Sequence, residues 1–98
     1  GMPGYTSSKA AVLGLTRGLA RDLGGDNIRV NALTPGWVMT PRQLTHWVNE
    51  ETAKDIEKNQ CLKQRLMPEH IAAMALFLAS DDSAMCSAQD FIVDGGWI

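Results

Sequence analysis

The amino-acid sequence predicts an α/β protein in which two parallel strands and several helices form part of a doubly wound sheet. Three observations favour this class. A long stretch of helical periodicity opens the chain, two short β-rich runs follow it, and long helical segments separate those two runs. Strands joined through helices pair in parallel by right-handed crossovers. Two strands do not make a stable sheet alone, so we expect residues 1–98 to form a single partial domain.

Composition excludes several classes of protein. The 98 residues are 45% hydrophobic and 20% charged with a net charge of −2, a globular balance that gives a nucleic-acid surface no electrostatic support. The longest apolar run is too short to cross a bilayer. Cys61 and Cys86 favour two free thiols in a reducing cytoplasm over one disulfide. With the two histidines they give no metal-ligand spacing. We expect a cytoplasmic protein without metal, membrane or nucleic-acid partners.

The first element is a helix from about Tyr5 to Leu23, which we expect Gly24-Gly25 to close with a left-handed residue. It carries two stripes at helical spacing. One is apolar and the other consists of small residues: Val12, Leu15, Leu19 and Leu23 on the first, and Ser7, Ala11, Gly14 and Gly18 on the second. Two glycines inside a helix each cost about 1 kcal/mol relative to alanine. Close packing offsets such a cost, so we expect both faces of the helix to be covered.

Two β-rich runs predict the strands. The first covers residues 28–33 and stops before Pro35, because proline cannot continue a central ladder. The second is Phe91 to Val93, which Asp94-Gly95-Gly96 terminates. The first strand lacks a neighbour on one edge, and an unpaired apolar edge invites association. We therefore expect the chain to associate, either with itself or with the missing half of the domain.

Capping signals divide the region between the strands into helices. Thr40 is a candidate N-cap, a proline follows it at the first turn, and Gln43 is placed to close a capping box. Asn49 is a second candidate cap, so we expect two short helices within residues 41–60 rather than one. A further helix is expected from Pro68 to about Ala79.

Tyr5 and Lys9 are the candidate catalytic pair. Residues four apart on a helix lie on the same face, so the two side chains can converge on one site. A free phenol is a poor proton exchanger at neutral pH, and a nearby ammonium group favours its ionised form. A tyrosine poised in this way acts as a general base toward an alcohol or a general acid toward a carbonyl.

Several motifs in order along the chain resemble the short-chain dehydrogenase/reductase family, and the resemblance spans essentially all 98 residues. They are Tyr5-x-x-x-Lys9, Asn31-x-x-x-Pro35-Gly36, Pro68-Glu69-x-Ile71-Ala72, Phe77-Leu78-Ala79-Ser80 and Val93-Asp94-Gly95-Gly96. The resemblance implies the carboxy-terminal half of a Rossmann-like dehydrogenase domain. It also implies a hydride transfer between NAD or NADP and a small alcohol, ketone or sugar, without distinguishing the two cofactors.

The resemblance assigns roles to particular residues. Tyr5 would be the acid/base, and Lys9 would bind the nicotinamide ribose hydroxyls. The loop beside the nicotinamide would run from Pro35 to Thr40 and include Gly36 and Val38. The Thr40 hydroxyl could serve as helix cap, as cofactor contact, or as both.

The sequence also departs from the family pattern. The glycine-rich phosphate loop, the internal Asn-Ala-Gly motif, the catalytic serine and a supporting asparagine all precede the tyrosine in the family, and the 98 residues contain none of them. We expect residues 1–98 alone not to bind the cofactor, which leaves an inactive truncated product or an assembly module as the alternative. Ala88 stands where the family usually has glycine, with a mild backbone adjustment expected. Asp94-Gly95-Gly96 would lie near a subunit contact, since tetramers are common in the family.

The segment after the cofactor loop forms the substrate lid in the resembled family. We call residues 37–62 the lid segment. Its candidate substrate residues are Trp37, Met39, Gln43 and Trp47. The tryptophans could stack on a sugar or simply pack the lid onto the body. Together with Gln60-Cys61-Leu62, the lid resembles the branch of aldose 1-dehydrogenases, which would oxidise the C1 hydroxyl of a pentose such as xylose.

Overall fold

The structure is a computed structural model that describes residues 2–46 and 49–98, without the side chains of Leu44 and His46. It contains four helices and two strands among these residues: α1 (Pro3–Leu23), β1 (Ala32–Pro35), α2 (Pro41–His46), α3 (Glu50–Asn59), α4 (Pro68–Ala79) and β2 (Asp90–Val93). The chain divides into two compact units, residues 1–33 with 77–91 and residues 34–76 with 92–98.

The two strands pair in parallel, which confirms the predicted α/β class. The Ala32 N–H donates to the Gln89 carbonyl at 2.8 Å, and the Gly36 N–H donates to the Val93 carbonyl at 3.0 Å. Donor and acceptor advance in the same direction along the chain, as a parallel ladder requires. The second strand begins one residue earlier than predicted, at Asp90.

Helix α1 starts and ends differently from the prediction. It begins at Pro3. A proline suits the first turn because an N–H group there would have no acceptor within the helix. Gly24 is right-handed, with φ −61°, and the chain tightens into a 3₁₀ turn over Gly24–Asp26. The left-handed residue is Asn27, with φ 61° and its N–H bonded to the Gly24 carbonyl. The predicted glycine cap is therefore wrong, and asparagine takes the role because its short polar side chain tolerates this conformation.

Both faces of α1 were expected to be covered, and the described residues do not cover them. Thr16 and Ala20 are the buried residues of the helix, whereas Leu15 keeps 60% of its surface exposed. A Cβ atom placed on Gly14 or Gly18 would meet nothing within 4 Å. The physical reason is surface area: two strands of 4 residues each are too small to cover a helix of 21 residues.

The start of β1 was predicted four residues too early. In place of a ladder, the run before it bonds through side chains to the loop that precedes β2. The Val30 N–H donates to the Ser87 hydroxyl at 3.1 Å. The Asn31 amide oxygen accepts from the Gln89 N–H at 3.2 Å, and the same side chain donates to another carbonyl of this loop at 2.8 Å. Side-chain hydrogen bonds and one backbone bond, from the Ala88 N–H to the Val30 carbonyl, thus hold this run without a continuous strand ladder.

A buried serine fixes the turn after α4 in the same unit. Ser83 is fully buried, and its hydroxyl lies 3.0 Å from the carbonyl oxygens of both Leu78 and Ser80. The Arg29 guanidinium donates to that hydroxyl at 2.8 Å. Burial of a hydroxyl is tolerated only when it is hydrogen-bonded, and here two bonds close the turn while the Arg29 bond ties it to the run before β1.

Caps organise the helices of the second unit as predicted. The Asn49 side-chain oxygen accepts from the Thr52 N–H at 2.8 Å, so α3 begins where the cap signal placed it. Helix α4 spans Pro68–Ala79, the predicted bounds. Among the side chains of this unit that the structure describes, the buried ones are Met39, Gln60 and Leu66.

Ala88 adopts a left-handed backbone, with φ 62°, and its N–H donates to the Val30 carbonyl at 2.8 Å. This conformation costs a residue with a Cβ atom about 1–2 kcal/mol. We predict that Ala88→Gly raises the free energy of unfolding by about 1 kcal/mol, measured by denaturant titration. The control is Ala84→Gly in the neighbouring turn, where φ is −53° and glycine should lower stability. Equal effects at the two alanines would contradict the backbone argument.

Candidate active site

Tyr5 and Lys9 meet on the first two turns of α1, as their spacing predicted. The Lys9 ammonium lies over the tyrosine ring, with Nζ 5.3 Å from the ring centroid. A cation within about 6 Å of an aromatic face is attracted by the ring quadrupole. Both side chains are exposed, and 57% of the tyrosine surface is accessible. Chemically, the pair presents a phenol and an ammonium group together at an accessible helix end.

The backbone beneath the tyrosine is held locally. The Ser8 hydroxyl donates to the Tyr5 carbonyl at 2.8 Å, and the Thr6 N–H donates to the Met2 carbonyl at 2.9 Å. Carbonyl and amide groups of the first turn are therefore bonded although the helix has no side-chain N-cap. These bonds keep the tyrosine in helical geometry, which is the condition for its contact with the lysine.

The predicted cofactor loop lies in the second unit. Its second residue, Gly36, has to be a glycine for a structural reason. A Cβ atom on Gly36 would lie 2.7 Å from the Asp94 Cβ and 2.9 Å from its Cα. Contacts that short are not tolerated, so the close approach of the turn after β2 requires glycine here. Pro35 ends β1 immediately before it and is exposed.

Two tight bends shape the rest of the loop. The Val38 N–H donates to the Gly36 carbonyl at 3.0 Å, and the Thr40 N–H donates to the Val38 carbonyl at 2.9 Å. Between them, the Met39 N–H donates to the Leu66 carbonyl at 2.8 Å. The loop is thus held by hydrogen bonds within its own backbone and by one hydrogen bond to the Leu66 carbonyl. The Val38 N–H is engaged, and its carbonyl keeps a second lone pair for another donor.

The predicted capping box after this loop is half formed. The Thr40 hydroxyl accepts from the Gln43 N–H at 3.2 Å, so threonine caps α2 as predicted. The reciprocal bond is absent, because the Thr40 N–H donates to Val38 instead. The Gln43 side-chain oxygen is consequently buried without a hydrogen-bond partner among the described residues.

The other candidate substrate residues are placed differently from one another. Trp37 is half-buried, and Trp47 lies outside the described residues. Met39 is buried and lines a cavity of ≈ 240 Å³ beside α3, together with Ile56 and Leu62. The side chain of Met39 therefore packs within the second unit.

The described part of the chain holds no disulfide, metal cluster or membrane-spanning helix. Cys61 and Cys86 are both free thiols. Within residues 2–46 and 49–98, no group of three or more His, Cys, Asp or Glu side chains could hold a metal ion. None of the helices in this part of the chain is long and apolar enough to span a membrane.

Comparison with known proteins decides the family. The family model described as enoyl-(acyl carrier protein) reductase matches residues 1–98. A probable galactose dehydrogenase of Rhizobium meliloti is 47% identical over 95 residues, and a D-xylose 1-dehydrogenase of Caulobacter vibrioides is 47% identical over 93 residues. The chain belongs to the short-chain dehydrogenase/reductase family. The predicted resemblance to the aldose dehydrogenase branch is confirmed by these two relatives.

Solved structures confirm the Rossmann-like fold. A 7α-hydroxysteroid dehydrogenase, complexed with NADH and 7-oxo glycochenodeoxycholic acid, superposes with a TM-score of 0.92 at 37% identity and covers 99% of this chain. A short-chain dehydrogenase/reductase of Mycobacterium ulcerans gives a TM-score of 0.89 at 33% identity over 94% of the chain. The chain spans 38% and 34% of those proteins, and 37% of each of the two sugar dehydrogenases. The whole protein's activity is accordingly a matter for proposal.

Two residues outside the predicted site, Asp94 and Gln60, contact the segments that form it, and the sequence analysis did not identify them as such. Asp94 was assigned no chemical role, yet it sets the glycine requirement of the cofactor loop. Gln60 was noted as part of a branch motif, and it proves to be 97% buried, with 3% of its surface exposed. No local pattern marks Gln60 for burial, because Asn59 precedes it and the polar residues Lys63, Gln64 and Arg65 follow it closely. The contact between Asp94 and Gly36 is equally invisible to local patterns, because the two residues are far apart along the chain.

Thr40 allows the capping role to be measured separately from any cofactor contact. We predict that Thr40→Val lowers the free energy of unfolding by about 1 kcal/mol, because the Gln43 N–H loses its acceptor. Thr40→Ser should stay within about 0.5 kcal/mol of the original protein. Thr45→Val is the matched control in the same helix, since that hydroxyl bonds the exposed Pro41 carbonyl. A loss at Thr45 equal to that at Thr40 would remove the cap from the explanation.

Proposed function

We propose that the protein carrying this chain is a nicotinamide-dependent oxidoreductase that transfers hydride between NAD or NADP and a small alcohol or carbonyl compound. The substrate group is the C1 hydroxyl of an aldose. The observation that supports this most directly is the Lys9 ammonium 5.3 Å from the centre of the Tyr5 ring at an accessible helix end. The names of the galactose and xylose dehydrogenases, each 47% identical to this chain, support the sugar substrate.

The residues present fit a nicotinamide cofactor. The Lys9 ammonium carries three N–H donors, and no carboxylate or carbonyl of the described residues forms a salt bridge or hydrogen bond with it. Those donors suit the two neighbouring hydroxyls of a ribose. The Thr40 hydroxyl accepts one bond as a helix cap and keeps its proton to donate, and the Val38 carbonyl keeps a lone pair. When bound, the nicotinamide takes up the hydride that leaves the carbinol carbon.

Tyr5 moves the proton in this mechanism. As the carbinol carbon of the substrate loses hydride, its O–H proton passes to the ionised Oη of Tyr5, and a carbonyl forms. In the reverse direction the neutral phenol donates that proton to the carbonyl oxygen. The Lys9 ammonium lies over the ring, 5.3 Å from its centre. The proton then passes to solvent, to which Tyr5 is 57% exposed.

An unpaired acceptor supports a hydroxyl-rich substrate. The Gln43 side-chain oxygen is shielded from solvent and has no donor among the residues that the structure describes. A buried acceptor without a partner costs about 1–3 kcal/mol. A sugar hydroxyl supplies the missing donor, so the cost in the free protein is recovered on binding. For a cyclic aldose, loss of hydride from C1 and of the hydroxyl proton gives the lactone.

We predict that Tyr5→Phe in the protein carrying this chain lowers kcat by about 10²–10⁴-fold, because the proton acceptor is removed. The unfolding midpoint should stay unchanged, since the exposed hydroxyl has no packing role. The reaction is followed by the absorbance of the reduced cofactor with xylose or galactose as substrate. Arg21→Met, in the last turn of the same helix, is the control and should leave kcat within twofold. Retention of kcat by the phenylalanine variant would exclude the mechanism.

A second prediction concerns Gln43. Replacement by methionine keeps the length of the side chain and removes the unpaired acceptor. The free energy of unfolding should rise by about 1 kcal/mol, while the KM for the sugar rises by several-fold through the lost hydrogen bond. Gln64→Met, at an exposed position, is the matched control and should change neither quantity. A methionine variant with lower stability and unchanged KM would contradict the assignment.

A further inference from the structure

The junction after α3 contains a buried glutamine. Gln60 follows the last helical residue and keeps only 3% of its surface exposed, whereas its neighbour Cys61 is exposed. Its side-chain nitrogen donates to the Leu62 carbonyl at 2.7 Å and to the Gln64 carbonyl at 2.6 Å. Both partners are acceptors, which fixes the orientation of the amide group. The glutamine therefore folds the chain that leaves α3 into a closed turn.

The same side chain is wedged against the turn after β2. Gly95 has φ 71°, and a Cβ atom there would lie 2.7–2.8 Å from Cδ, Cγ and Nε2 of Gln60. The backbone joins at the same place. The Cys61 N–H donates to the Gly96 carbonyl at 2.8 Å, and the Leu62 N–H donates to the Gly95 carbonyl at 2.9 Å. The end of α3 is thus fixed to residues 94–96 by side-chain packing and by two backbone bonds.

The last turn of α3 is closed by a neighbouring lysine. The Lys63 ammonium donates to the Glu57 carbonyl at 2.6 Å and to the Gln60 carbonyl at 2.7 Å. These carbonyls carry the partial negative charge of the helix C-terminus, which a cation stabilises. The helix end, the glutamine and the turn after β2 accordingly form one continuous bonded unit.

We propose that Gln60 is a positioning residue that anchors the lid segment and thereby sets substrate affinity. This inference rests on the proposed function, because the segment that forms the substrate lid in the resembled family would then contact the aldose. The cofactor loop has its own attachments, through the Gly36 and Met39 N–H groups. Loss of the glutamine therefore displaces α3 while that loop stays in place. Substrate affinity falls, and cofactor affinity and the proton transfer at Tyr5 do not change.

The kinetic experiment uses Gln60→Ala and Gln60→Met in the protein carrying this chain. Each should raise the KM for the sugar by about tenfold and leave kcat and the KM for the cofactor within about twofold. Methionine keeps the volume of the side chain and folds even where alanine leaves a cavity. An equal rise in the KM values for sugar and cofactor, or no rise for the sugar, would overturn the proposal.

A second set of variants tests the wedge itself. Gly95→Ala should raise the sugar KM in the original protein but add less than twofold in the Gln60→Ala background, because the colliding atoms are gone. Gly96→Ala is the matched control. It has φ 79°, and its Cβ atom would meet Cys61 at 3.0 Å rather than Gln60. Its effect should be the same in both backgrounds. If both glycine variants behave additively with Gln60→Ala, the anchor is excluded.

Hydrogen exchange separates failure of the anchor from failure of the proposed function. The Cys61 and Leu62 amides should exchange at least tenfold faster in Gln60→Met, whereas the Met39 amide should not. Unchanged exchange at Leu62 would overturn the anchor whatever the kinetics show. Faster exchange in a protein that oxidises no sugar would support the anchor and reject the proposed function.

Discussion

One turn of helix separates Tyr5 from Lys9, and the proposed proton transfer depends on that spacing being kept. The ammonium lies over the ring, 5.3 Å from its centre, because α1 is continuous from Pro3 to Leu23. A break in the first turn would move the lysine away from the phenol and remove the contact between them. The local bonds around the tyrosine, including that from the Ser8 hydroxyl to its carbonyl, therefore help to hold the pair together.

Two kinds of local feature lower the free energy of unfolding of this chain. The left-handed Ala88 has no function that the structure reveals, and a glycine would relieve it. The unpaired oxygens of Gln43 and Gln60 are different, because both belong to the lid segment. Buried acceptors without donors oppose folding and favour the arrival of a donor. Under the proposed function a sugar hydroxyl supplies the missing donor for Gln43, whereas the Gln60 oxygen lies in the packed junction after α3.

The sequence was sufficient for features that depend on neighbours along the chain. Caps at Thr40 and Asn49 predicted the starts of α2 and α3, and helical spacing predicted the convergence of Tyr5 and Lys9. It was insufficient where partners are distant. The start of β1 was misplaced because the Val30 N–H bonds to a hydroxyl 57 residues away. The second half of the capping box did not form, because the Thr40 N–H donates to the Val38 carbonyl rather than to the Gln43 side chain.

Asp94 and the two glycines after it connect the cofactor loop to the lid. The Asp94 carboxylate accepts from the N–H groups of Gly96 and Trp97 at 2.8 and 3.3 Å, which fixes the shape of the turn. On one side, this turn packs against Gly36, where the lid segment begins; on the other, it packs against Gln60, where α3 ends. Because both ends of the segment are held at one place, ordering the residues between them costs less conformational entropy. Under the proposed function, substitutions in α3 would change which substrate fits without displacing residues 35–40.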